Sequence, residues 1–222
     1  MKPFYYILKC QVRMLAALLI LTSASHLPAA GADFSRLRIS LPDDICMGIR
    51  SNLLYDACGV PQLGLEVGFG PNLSVTAGGV YAWWGKPGQP FFRHIQCGEI
   101  TFRKYFSKRS LKLDGWHAGV FGRLLRYDIC VNQRGWMSGD PRGSFFNHPT
   151  VSAGIEGGYT LSLVNRLVID FTIGVGYLGG QYISYRRSDG HSAWTATHDR
   201  NFFGPVKAEI ALAWIIGKGG KR

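Results

Sequence analysis

LVIDFTIGVGY, residues 167–177, decides the fold. Leu167, Ile169, Phe171, Ile173, Val175 and Tyr177 fall on one side of an extended chain, with Asp170, Thr172, Gly174 and Gly176 on the other. Successive side chains of a strand point to opposite faces, so a period of two predicts a strand with one apolar and one small or polar face.

The same alternation recurs on both sides of this stretch. Towards the C-terminus, Val206, Ala208, Ile210, Leu212, Trp214 and Ile216 oppose Lys207, Glu209, Ala211 and Ala213. Towards the N-terminus it returns, with varying clarity, over 45–56, 62–70, 73–84, 91–105, 116–127 and 151–161. Eight strands and no helix are predicted, an all-β chain closing into an antiparallel up-and-down barrel of the transmembrane type.

The faces point to lipid outside and a polar lumen. Arg50, Glu66, Glu99, Arg103, Arg123, Glu156, Asp170, Lys207 and Glu209 share the face of the glycines, serines and threonines. Five carboxylates and four cations in a narrow lumen are expected to pair with one another and plug it, since about eight strands enclose room only for side chains. Aromatics at the ends of the apolar face suit the two headgroup levels: Tyr55, Tyr81, Trp83, Tyr127, Tyr177 and Phe203 above, and Phe69, Tyr105, Trp116, Tyr159 and Trp214 below. A soluble calyx would reverse the faces, with apolar residues inside to hold a ligand. Short inner links at Pro71-Asn72 and 162–166, against longer polar outer segments at 85–90, 128–149 and 186–201, give the usual asymmetry of these barrels.

Composition agrees. Among 222 residues there are 29 glycines, 13% aromatics and only 18% charged side chains, and the mean hydropathy is near zero. That profile suits neither a disordered tail nor a helical membrane protein. Lys2, Lys9 and Arg13 precede a short apolar run at 14–21, and Ala30-Gly31-Ala32 offers small residues, so 1–32 is expected to be a secretory signal. A lead segment at 33–44, the strands of 45–216 and a basic tail at 217–222 complete the organisation. Without the signal, 22 basic residues face 14 acidic ones, a net charge of +8. The charge is spread over both ends, so nucleic acid is not expected as a partner, whereas outer-loop arginines such as Arg134, Arg142, Arg186, Arg187 and Arg200 suit the phosphates of lipopolysaccharide.

Several motifs have plainer readings. Gly174-Val175-Gly176-Tyr177-Leu178-Gly179 matches G-x-G-x-x-G, but GQYISY at 180–185 reads as strand where a dinucleotide site needs a helix. Cys46, Cys58, Cys97 and Cys130 allow three full connectivities, of which a Cys58–Cys130 pair joins two outer segments, and they could equally be free. No cysteine or histidine spacing suggests a metal, and no cofactor is expected.

Asn52-Leu53-Leu54-Tyr55-Asp56-Ala57, Gly64-Leu65-Glu66-Val67-Gly68 and Asn201-Phe202-Phe203-Gly204-Pro205-Val206-Lys207-Ala208-Glu209 resemble recurring segments of the domain of unknown function 3575 family, small proteins of anaerobic Gram-negative bacteria. The resemblance runs over roughly 45–216. It implies an outer-membrane barrel whose genes often accompany those for fimbriae, and it brings no catalytic residues. The expectation is therefore a non-enzymatic outer-membrane barrel displaying surface loops, an accessory of fimbrial or envelope assembly. Two alternatives stand beside it. One is an outer-membrane enzyme, a lipid A hydrolase or acyltransferase, drawing on His148, His191, His198, Ser188, Ser192, Asp189 and Asp199. The other is a soluble periplasmic calyx.

Overall fold

The computed structural model describes residues 45–84, 91–107, 113–131, 133–138, 148–164, 166–188 and 191–216. The expected signal 1–32, lead segment 33–44 and tail 217–222, with loop residues 85–90, 139–147 and 189–190, lie outside the described residues.

Nine antiparallel strands form one sheet that returns on itself as a ring. They are β1 (Ile45–Asn52), β2 (Gln62–Phe69), β3 (Leu73–Trp84), β4 (Phe91–Tyr105), β5 (Gly115–Val131), β6 (Arg134–Ser138), β7 (Thr150–Val164), β8 (Leu167–Ser188) and β9 (His191–Ile216). Each pairs with its sequence neighbour except around β6, and β1 meets β9 from Met47↔Ile216 to Asn52↔Ala211 to close the ring. β5 explains how nine strands fit a ring of eight. Its first half pairs with β7 (Gly115↔Thr160 to Leu125↔Thr150), and its last residues pair with β6 (Asp128↔Met137 to Val131↔Arg134). β8 is divided in the same way, so β6 stands above β7 in the wall.

The alternation predicted over 167–177 is present as burial. Asp170, Thr172, Gly174 and Gly176 are buried, whereas Phe171, Ile173, Val175 and Tyr177 are exposed. Gly70 and Asn72, both at positive φ (54° and 64°), make the tight link from β2 to β3, a conformation that glycine and asparagine tolerate.

Three expectations need correction. Residues 53–56 do not continue the first strand but form a short helix, α1 (Leu53–Ala57). The Asn52 side chain caps it by accepting from the Leu54 amide at 3.0 Å, and Gly59 (φ 73°) follows its end. Much of 128–149 and 186–201, expected as loops, is strand: β6 lies within the first, and the β8–β9 hairpin runs out to Ser188↔His191. At the inner end, β7 runs to Val164 with a register shift between Ser162 and Val164, which leaves only a short link to β8. Of the alternatives open for the cysteines, the free state is the one found among the described residues; Cys130 is buried against Tyr185, while Cys58 is exposed at the end of α1.

Three expected girdle aromatics also face inward. Tyr105 and Tyr127 are buried, and Tyr55 packs on Val60, Val80 and Ala82. For Tyr105 and Tyr127 the reason is parity: Arg103 and Tyr105 on β4, and Arg123 and Tyr127 on β5, are two and four residues apart and so share the inner face. Tyr55 is redirected by α1. Tyr81, Trp83, Tyr177, Phe203, Phe69, Trp116, Tyr159 and Trp214 are exposed.

Candidate functional site

The ring's interior is built in layers, and its middle layer is charged. Arg50 projects from β1 over Gly64 of β2, Arg103 from β4 over Gly119 of β5, and Lys207 from β9 over Gly174 of β8. At each of these glycines an added Cβ would come within about 3 Å of the long side chain opposite (3.0, 3.1 and 3.0 Å). Inward glycines thus give the cations room to cross the bore.

Arg50 reaches three carboxylates. Its Nη1 donates to Glu66 Oε2 (2.9 Å), and its Nη2 donates to Asp170 Oδ2 (2.6 Å) and Glu209 Oε1 (3.0 Å). Arg103 Nε donates to Glu156 Oε1 (2.5 Å) and its Nη1 to Asp170 Oδ2 (3.0 Å). Lys207 Nζ pairs with Glu99, with Glu156 Oε2 at 2.6 Å and with Glu209 Oε2 at 3.4 Å. Arg123 Nε donates to Glu99 Oε2 (2.7 Å), and its Nη1 reaches the Tyr55 hydroxyl at 3.4 Å. All nine charged residues singled out in the sequence are therefore brought into one connected set.

Ser74, Thr160, Thr172 and His117, none of them expected in the set, complete it together with Tyr105, which was expected in the lower girdle. Ser74 and Tyr105 donate hydroxyls to Glu66 Oε1 (2.7 and 2.9 Å), and Thr160 donates to Asp170 Oδ1 (2.9 Å). Thr172 Oγ1 lies 3.1 Å from Asp170 Oδ2 and 3.0 Å from His117 Nε2, which stands 3.6 Å from Asp170 Oδ1. Their signal was available, since each lies on the polar face of its strand. Below this layer Cys46, Tyr105, Leu113, Val168, Ala213 and Ile215 form a buried apolar cluster across the bore. Above it, Val60, Val80 and Ala82 pack with Tyr55, Ile95 and Cys97 on one wall.

The polar residues weighed for catalysis are not assembled. His148, His191 and Ser192 are exposed. Asp189 and the Ser188 side chain lie outside the described residues. His198 Nε2 lies 3.2 Å from Ser184 Oγ, a serine the sequence reading passed over, and Asp199 points to the opposite face of β9. Among the described residues no group of three or more histidine, cysteine, aspartate or glutamate side chains is placed to hold a metal.

A ring of antiparallel strands, apolar outside and ion-paired within, defines the class of protein. The sequence pattern described as Protein of unknown function (DUF3575) matches residues 20–216, and the chain belongs to that family. No curated protein and no solved structure matches it.

Proposed function

We propose that this chain is a non-enzymatic outer-membrane β-barrel, exported by the signal at 1–32, with a polar lumen plugged by its own ion pairs. The observation that carries the reading is the inversion of faces: Ile173 is 73% exposed and Trp116 67%, while Arg103 is 2% exposed. In water such a continuous apolar exterior would drive aggregation, whereas in a bilayer it is the required surface. On β5 the outward residues Trp116, Ala118, Val120 and Leu124 give way to Arg126 and Asp128, and on β4 the level of Ile100 and Phe102 gives way to Gln96 and His94. The apolar stretch of about nine residues suits a tilted spanning strand, for which about 9–11 are needed. A calyx needs apolar residues inside and has no use for this belt.

The upper parts of β5, β6, β8 and β9 rise beyond the belt and would face the exterior, where they can meet lipopolysaccharide and other envelope proteins, fimbrial ones included. Envelope fractionation with gel mobility before and after boiling tests the reading. The protein is expected in the outer membrane, migrating differently when unheated. Recovery from the soluble periplasm with a single mobility would instead favour the calyx.

A further inference from the structure

We propose that the inner face of the upper wall carries a subsite for a phosphorylated sugar, centred on Arg200 and Tyr127. Four strands place one row of side chains there. Tyr127 on β5 stands beside Ser138 on β6, which pairs with Tyr182 on β8, which pairs with His198 on β9. Ser138 Oγ accepts from the Tyr127 amide at 2.9 Å and fixes that end of the row. Arg200 is in register with Gly180, whose missing side chain leaves its guanidinium free to lie 4.6 Å from the Tyr182 ring centre and 5.9 Å from that of Tyr127.

Two features point to an anionic ligand. Arg50, Arg103, Arg123 and Lys207 each pair with carboxylates, but Arg200 pairs with none among the described residues. A stacked guanidinium keeps its in-plane N–H groups available for the bidentate contact that phosphate accepts. Second, Tyr127 is 9% exposed, and its hydroxyl faces the Arg200 guanidinium but meets no acceptor among the described residues. A guanidinium can only donate to that oxygen, so the phenolic O–H is left as a buried donor available to a ligand beside the arginine.

The rest of the face suits a sugar that carries the phosphate. Arg134 and Arg186, in register with each other, add positive charge above Arg200 on the same face, and Trp136 between them is 41% exposed. An exposed indole accepts the C–H face of a pyranose, and the His198–Ser184 pair offers polar atoms to its hydroxyls. The ligand's source is either the phosphorylated glucosamine headgroup of lipid A or a soluble sugar phosphate. Only the lipid source rests on the outer-membrane reading.

The test uses the full-length folded protein in detergent micelles, titrated with glucose 6-phosphate and with glucose while Trp fluorescence and heat of binding are followed. Glucose 6-phosphate is expected to bind saturably and glucose about tenfold more weakly or less, the scale of a lost charge-assisted contact. Arg200→Gln should weaken glucose 6-phosphate binding by about tenfold or more, and the nearly isosteric Tyr127→Phe by several-fold. Both variants should keep the wild-type mobility shift on boiling. Reconstitution into phosphatidylcholine vesicles with and without lipid A separates the sources: competition by lipid A against glucose 6-phosphate supports the headgroup, and its absence supports the soluble ligand. No saturable binding, or binding unchanged in both variants, would overturn the subsite. Sugar phosphate binding by a protein absent from the outer membrane would sink the membrane reading alone.

Discussion

Arg50 holds three carboxylates, Glu66, Asp170 and Glu209, within 3.0 Å, and all three are buried with it. Removing one carboxylate leaves Arg50 two others, so Glu66→Gln is expected to cost about 1–3 kcal/mol, the scale of an under-satisfied buried group. Arg50→Met strips a partner from all three acids at once and is expected to cost more, about 3–5 kcal/mol. In a double-mutant cycle read by urea unfolding in detergent, the two losses should fall well short of additive. Full additivity would mean that the charges do not act as a set. A second pair lies above the apolar belt, where the Tyr185 hydroxyl donates to Asp128 Oδ1 at 2.6 Å. Burial pushes the Asp128 carboxyl above its ordinary range, although the Tyr185 bond acts against the shift. The folded state thus holds that proton more tightly than the unfolded chain. Its stabilising contribution is full below the unfolded carboxylate value near pH 4 and declines as pH rises through the raised value. Unfolding midpoints of wild type and Asp128→Asn, compared from pH 4 upwards, should therefore diverge, with the wild type alone losing stability across that window.

At the level of elements, one irregularity in β9 sets what faces where. The register with β8 passes from Gly174↔Lys207 to Val175↔Pro205, leaving Val206 as an extra residue. Proline has no N–H to give the ladder, and a bulge is where a strand tolerates it. Below the bulge the odd-numbered Lys207 and Glu209 point inward; above it the even-numbered His198 and Arg200 do, and Phe203 is turned out to 76% exposure. On β8, Ile173→Arg tests which solvent the outer face meets. In a bilayer it should cost about 2–4 kcal/mol and block insertion; on a water-exposed face at 73% exposure it would be nearly neutral. Refolding yield into vesicles against that into detergent-free buffer decides between them. Thr172→Arg on the inner face is expected to destabilise as well, because the Thr172 hydroxyl lies within hydrogen-bond reach of His117 and Asp170 and the residue is 2% exposed. Strands crossing the belt were legible in the sequence because they have one apolar and one polar face. The same alternation would have placed Tyr105 and Tyr127 inside had it been carried to the strand ends. β6 and the outer β8–β9 hairpin were not legible, since they rise above the belt and residues such as Arg134, Ser192 and Asp199 blur any period of two. α1 was hidden for another reason: Leu53 and Tyr55 continue the alternation of β1, and only the Asn52 cap marks the change.

Inside the ring of strands, two layers of buried side chains lie against each other. The apolar cluster of Cys46, Tyr105, Leu113, Val168, Ala213 and Ile215 spans the base, and the nine-residue ionic set lies directly on it through the Tyr105 hydroxyl. Between them, a cavity bounded by Arg50, Glu66, Tyr105 and Leu113 has a volume of about 10 Å³, at the lower limit for one water molecule. A hydrated ion needs a continuous path several waters wide, so the folded protein is expected to give no steady conductance in planar bilayers. Glu66→Gln should leave that unchanged: it alters a charge and leaves both the bulk of the ionic layer and the apolar base in place. Shrinking the base is a different matter. Tyr105→Ala with Leu113→Ala removes the two bulky side chains beside this cavity, and the ionic layer then borders a water-filled space from below. Small, flickering openings are expected in that double variant and in neither the wild type nor Glu66→Gln. Steady ion-selective openings in the wild type that vanish in Glu66→Gln would replace the plug with a pore whose selectivity is set by the very charges assigned to closing it.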